Sequence, residues 1–185
     1  MRHILAIALL VASAPAPEPV APALFANEKA HVAVTDFDRD GSALVTRASE
    51  DFSSTGVLVV RDAWRTSAGA PFSDGASDSG GSIDRDGRRL YFTSKRPGVG
   101  DGITDPWNLW VSTRENGRWG AAGPLPRPVN TEKSERCATA KAGGAIYFSS
   151  DRDGSWDIFR AEIDERGRVG RVEKLRGEVN TEHGE

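Results

Sequence analysis

The chain repeats itself. Residues 117–135 read GRWGAAGPLPRPVNTEKSE and residues 167–185 read GRVGRVEKLRGEVNTEHGE. At an offset of 50 residues the two stretches share Gly117/Gly167, Arg118/Arg168, Gly120/Gly170, Leu125/Leu175, the Val-Asn-Thr-Glu runs beginning at Val129 and Val179, and Glu135/Glu185. Self-similarity at this period marks an architecture in which one unit cannot bury its own apolar face and must stack on the next. The second copy ends the sequence at Glu185, so it should introduce a further unit whose strands the sequence does not contain.

The unit can be traced upstream. Ile146-Tyr147-Phe148-Ser149-Ser150 matches Leu90-Tyr91-Phe92-Thr93-Ser94, and Leu44-Val45-Thr46 is a weaker match. Each follows a turn at Gly143-Gly144, Asp86-Gly87 or Asp40-Gly41, and such dipeptides between apolar segments are strong hairpin signals. A third segment follows in each unit, Val57–Val60, Trp107–Val111 and Trp156–Phe159, and a short polar strand comes after it. Apolar and polar residues alternate with a period of two, and no useful helical period appears. Four-stranded antiparallel units at this spacing predict propeller blades. The reading is an all-β fold, a β-propeller with about three blades, over roughly 24–76, 77–133 and 134–185. The second blade carries a Gly-rich insertion within Pro97–Pro106 that should form an exposed loop.

The segments Ile83–Arg96 and Ile146–Gly154 resemble the WD40-like Pro-Asp repeat typified by the C-terminal propeller of TolB. The resemblance covers Phe25–Glu185, strongly in the second and third units and weakly in the first. It implies a six-bladed propeller of exported bacterial type, a binding platform rather than an enzyme. The chain departs from the pattern where Arg39 and Arg85 replace the Pro of the turn, Gly143 replaces its Asp, and Asn108 stands where the family often has Asp.

The N-terminus reads as an export signal. Arg2 and His3 precede the apolar run Ile4–Ala12, which is too short to span a bilayer, and Ala12-Ser13-Ala14 offers a cleavage site, with Ala21-Pro22-Ala23 as a second. Residues 1–23 are thus expected to be a signal peptide with a Pro/Ala spacer, giving a periplasmic or secreted protein. A formal charge of −3 with mixed signs along the chain provides no clustered basic face for nucleic acid. The single cysteine, Cys137, excludes an internal disulfide; a lone thiol in a strand is expected in the core.

Two sets of residues recur by unit. Asp78 and Glu135 each lie nine residues before a turn glycine, and Glu185 matches Glu135 through the repeat. By the resemblance they start the innermost strands near one mouth of the channel, where carboxylates can bind a cation or a basic peptide, or can tie neighbouring blades together. Arg96, Arg152 and Asp157 form the second set, with Arg152 and Asp157 placed to staple the third-blade hairpin as an ion pair. Asp36-Phe37-Asp38-Arg39-Asp40-Gly41 imitates the start of a calcium loop, but its twelfth position is Arg47 rather than Glu. Ser77–Gly81 imitates a serine-protease nucleophile segment, with His31 as the upstream histidine and no room for the rest of a triad. His183 has no visible partner in sequence, and Trp64 and Trp107 lie near loops as candidate contact residues.

These observations predict a protein- or peptide-binding or scaffold module of the cell envelope, without cofactor, metal or catalysis, and able to self-associate through open blade edges. A propeller hydrolase of glycosidase type, with Asp78 and Glu135 as its acids, and a non-functional truncated copy of a longer propeller are the alternatives.

Overall fold

A computed structural model of the chain describes residues 29–61, 66–73, 77–97, 107–141 and 143–180. The signal segment 1–23, Trp64, the insertion residues 98–106, His183 and Glu185 lie outside them.

The described residues form three four-stranded antiparallel sheets. The first holds β1 (His31–Phe37), β2 (Ala43–Ala48), β3 (Thr55–Arg61) and β4 (Thr66–Gly69). The second holds β5 (Asp78–Ile83), β6 (Arg89–Ser94), β7 (Asn108–Glu115) and β8 (Arg118–Pro124). The third holds β9 (Glu135–Lys141), β10 (Ala145–Ser150), β11 (Asp157–Ile163) and β12 (Val169–Lys174). Strands follow one another within each sheet in chain order. The all-β propeller reading therefore holds, with three blades.

This meander places the turns on two sides. The β5–β6 and β9–β10 turns share one end of the sheets with the β7–β8 and β11–β12 turns. The blade-to-blade connectors run at the other end. The turns are built from glycines in the left-handed region, among them Gly41, Gly87, Gly117, Gly144 and Gly167. At Gly144 (φ 71°) a Cβ would stand 2.6 Å from the carbonyl oxygen of Ile163. Only glycine lets the β9–β10 turn close against β11.

The core lies between blades. Leu44, Val57, Val59 and Phe72 of the first unit pack with Leu90, Phe92, Trp110 and Trp119 of the second. Tyr91, Leu109, Leu125 and Val129 of the second pack with Ile146, Phe148, Phe159, Ala161 and Ile163 of the third. The strands alternate, so Leu90 and Phe92 face backward while Tyr91 faces forward. Both faces of the middle blade are buried, which is why β6 reads as an almost continuous apolar run.

Hydrogen bonds repeat across the two junctions. Thr46 Oγ1 accepts from the Gly80 amide at 3.0 Å, and Thr93 Oγ1 accepts from the Cys137 amide at 3.1 Å. Both donors sit in left-handed conformation (φ 69° and 57°) at bulges of the inner strands β5 and β9. Cys137 is consequently exposed. The expectation of a core thiol fails because the bulge turns this side chain out of the sheet's alternation.

Candidate functional site

The two recurring sets form one constellation. Asp78 begins β5, and its Oδ2 accepts from Arg96 Nη2 at 2.6 Å. Arg96 also donates to the carbonyl of Phe72 in the preceding connector. Glu135 begins β9, and its Oε1 accepts from Arg152 Nη2 at 3.2 Å. Arg152 donates in addition to the carbonyls of Pro128 (2.9 Å) and Val129 (2.5 Å). In the second and third blades, then, the Arg of the Ser-x-Arg element clamps the acid of its own inner strand and the connector leading into it. Phe72 and Val129 occupy corresponding places, as do Pro71 and Pro128, Ser77 and Ser134. The two identities, Pro71/Pro128 and Ser77/Ser134, were the sequence signal for a further connector ahead of Asp78, and they are too sparse to stand out unaided.

Both acid side chains are 0% exposed. Glu135 is further held by the Thr131 amide (3.1 Å), Thr131 Oγ1 (2.6 Å) and Ser150 Oγ (3.0 Å). Burial still pushes its carboxyl above the ordinary range, against the pull of Thr131, Arg152 and Ser150.

The staple of Arg152 with Asp157 does not form. Ser150 stands opposite both Glu135 and Asp157 in the sheet, so a carboxylate flanks it on either side. The Arg152 guanidinium lies over the Phe148 and Phe159 rings, 5.2 and 4.5 Å from their centres, and turns to Glu135. Asp157 is taken instead by Lys174 of β12 at 2.7 Å, with Ser155 Oγ at 3.0 Å. Lys174 holds the Asp157 carboxyl below its usual range.

The other motif-like segments have structural uses. Asp36 Oδ2 accepts from Ser82 Oγ and the Ile83 amide of the second blade, Asp38 pairs with Arg114, and Asp40 Oδ1 accepts from Ser42. The three acids of the calcium-like segment thus take separate partners. His31 stacks on Phe52 (4.1 Å) with Nε2 3.3 Å from the Glu50 carbonyl, while Ser79 lies in β5 opposite Thr93. Arg136 stands between the Trp107 and Trp156 rings, 4.7 and 5.0 Å from their centres, and Lys95 lies 4.4 Å from Trp107.

A concave surface lies on the side opposite the connectors, at the junction of the second and third blades. A cleft of about 640 Å³ opens between the β5–β6 turn, the Gly143-Gly144 turn and the β11–β12 turn. Tyr91, Ile146 and Ile163 form its apolar floor, and Arg85, Asp86 and Lys141 stand exposed at its rim. Arg89 spans the cleft by donating to the Glu165 carbonyl. Asp84 Oδ1 accepts from the amides of Arg88 (2.8 Å) and Arg89 (3.0 Å). Burial, and then the neighbouring Asp86 carboxyl, raise Asp84 above its ordinary value, while the same hydrogen bond lowers Asp86. Burial pushes the Tyr91 hydroxyl up to about 12. Sequence reasoning missed this cleft because its lining comes from turns of all three blades, Arg39 of the β1–β2 turn included.

Comparison with solved structures fits this geometry. A putative TolB from Agrobacterium tumefaciens aligns with a TM-score of 0.52 at 17% identity, over 76% of this chain and 44% of that one. The fold is TolB-like. A puromycin-hydrolysing peptidase from Mycobacterium tuberculosis also aligns with a TM-score of 0.52, at 13% identity, over 79% of this chain and 21% of that one. The chain with this TolB-like fold thus spans less than half the length of either structure. No protein-family model matches the sequence, and no curated protein matches it.

Proposed function

We propose that the chain is an exported, TolB-like propeller protein that serves as a protein- or peptide-binding or scaffold module of the cell envelope. The observation that carries this reading is the junction cleft, concave and floored by Tyr91, Ile146 and Ile163, with both signs of charge at its rim. An apolar floor with a few polar groups around it suits a peptide segment carrying one apolar anchor and flanking charges. The basic start, apolar run and small residues of positions 1–14 support export. Among the described residues no helix is long and apolar enough to cross a membrane.

Catalysis is not part of this proposal. A glycosidase needs one acid to protonate the leaving group and another to act on water or the sugar. Asp78 and Glu135 are enclosed and ion-paired, which suits holding a blade together. The similarity to a peptidase keeps a hydrolase as the second reading. A panel of displayed peptides screened against the purified chain tests the first. Binders are expected, and Arg85→Glu with Lys141→Glu should weaken them at least tenfold. Binding untouched by these changes would reject the cleft, and turnover of a peptide or glycan substrate by the unaltered chain would reject the binding-only reading.

A further inference from the structure

We infer that the junction cleft selects acidic peptide segments, whose carboxylates meet Arg39, Arg85 and Lys141. This rests on the reading of the cleft as a peptide site and adds the sign of its ligand. Most acids of the cleft are already engaged. Asp84 pairs with Arg89 at 3.5 Å, Asp86 with Arg88 at 3.7 Å and Asp164 with Arg168 at 2.6 Å. Arg89 is committed as well, through Asp84 and the Glu165 carbonyl. Arg39, Arg85 and Lys141 line the same cleft, are exposed, and form no ion pair among the described residues. Among the described acids of the lining, the Glu165 carboxylate alone is likewise unpaired. Three free cations therefore face one free acid.

The repeat accounts for this surplus. Three residues before the turn glycines Gly41, Gly87 and Gly144 stand Asp38, Asp84 and Lys141. One residue before them stand Asp40, Asp86 and Gly143. In the first two blades the acids have structural partners. Asp38 pairs with Arg114, Asp40 Oδ1 accepts from the Ser42 amide and hydroxyl, and Asp84 Oδ1 accepts from the Arg88 and Arg89 amides. The third turn has neither acid. Gly143 and Gly144, at φ 93° and 71°, make the bend without a carboxylate cap. An ammonium accepts no hydrogen bond, so Lys141 cannot replace the cap. The exchange leaves a cation at the cleft where the other two blades keep an acid. Arg39 and Arg85 share one position of the repeat, two residues before the glycine, and both line the cleft.

The whole chain carries −3, so attraction for an anion is confined to this rim. A polyanionic sugar would spread its charge over Glu165 and Asp86 as well. A peptide can set carboxylates at the three cations and an uncharged side chain over Tyr91, Ile146 and Ile163. That arrangement matches both the charge and the apolar floor.

Fluorescence anisotropy with the purified chain and three labelled peptides tests the inference. One peptide has glutamates on both sides of a leucine; in the others the glutamates become glutamines or lysines. The acidic peptide should bind at least tenfold more tightly than the glutamine peptide, and the lysine peptide should bind worst. Added salt should erode the difference, because exposed charges more than about 8 Å apart are screened at physiological ionic strength. Lys141→Glu should weaken the acidic peptide at least tenfold with the β-sheet circular dichroism spectrum unchanged. The peptide and salt comparisons need no variant, so they decide even if that variant misfolds. Equal binding of the acidic and glutamine peptides, or a preference for the lysine peptide, would overturn the inference and leave the peptide-binding reading standing. So would failure of all three while a displayed peptide panel yields binders; an empty panel would sink both. Alginate bound in preference to the acidic peptide would also overturn it.

Discussion

At the residue scale, the acid–arginine clamp shows how a repeated polar residue can be structural. Glu135 and Arg152 are both shifted toward their neutral forms by burial, so the pair gives little net stability while breaking it is expensive. Glu135→Ala should cost about 3–5 kcal/mol, because Arg152 would remain buried without its counter-charge; urea unfolding followed by tryptophan fluorescence measures this. Replacing both residues by apolar ones of similar size should cost much less. Cys137 offers a second residue-level test. Its thiol is exposed and should react with a thiol reagent in the folded chain without denaturant. Cys137→Gly should keep the fold, since Gly80 fills the corresponding position. The reverse change, Gly80→Ala, should cost about 1–2 kcal/mol for a left-handed Cβ.

At the scale of elements, the Val-Asn-Thr-Glu connector acts through its asparagine. Asn130 Oδ1 accepts from the Leu109 amide at 2.9 Å, and its Nδ2 donates to the carbonyls of Leu109 and Leu125. Asn180 repeats all three bonds with Ile158 and Leu175. In the first blade Ser73 Oγ accepts from the Val57 amide at 3.1 Å. The side chain thus extends the edge of the third strand where the backbone leaves the sheet. Asn130→Ala should cost about 2–4 kcal/mol, since Asn130 is wholly buried and the substitution orphans the backbone groups of Leu109. Asn180→Ala should cost less, because water reaches that connector. Thermal unfolding of the two variants side by side gives the comparison.

At the scale of the whole molecule, opposing carboxyl shifts bound the pH range of stability. Glu135 and Asp84 are raised in the fold, chiefly by burial. The folded chain holds their protons more tightly than the unfolded chain does, so stability falls as pH rises from about 4 through their raised values. Asp40, Asp157 and Asp164 are lowered by hydrogen bonds, from Ser42, Lys174 and Arg168 respectively, and Asp51 is lowered to about 2 by Ser49 and Ser53. Their contribution is present above the ordinary aspartate value and is lost as pH falls below it. A scan of melting temperature against pH should show its maximum on the mildly acidic side. Glu135→Gln should flatten the limb above it.

The repeat, the turn glycines and the two-residue alternation made the blades legible, because strand pairing within a blade is local and each hairpin carries its own turn chemistry. Asp78, Glu135, Arg96 and Arg152 were legible as recurring residues for the same reason. Their pairing was not, since Arg152 chose between two carboxylates flanking Ser150, and reach across the sheet settled it. The outward thiol of Cys137 depended on a bulge, and the cleft depended on turns from different blades meeting. The sequence by itself determined the blade. What the blades do to one another and which acid each arginine holds was decided only by the tertiary structure, because those outcomes rest on packing between units far apart in the chain.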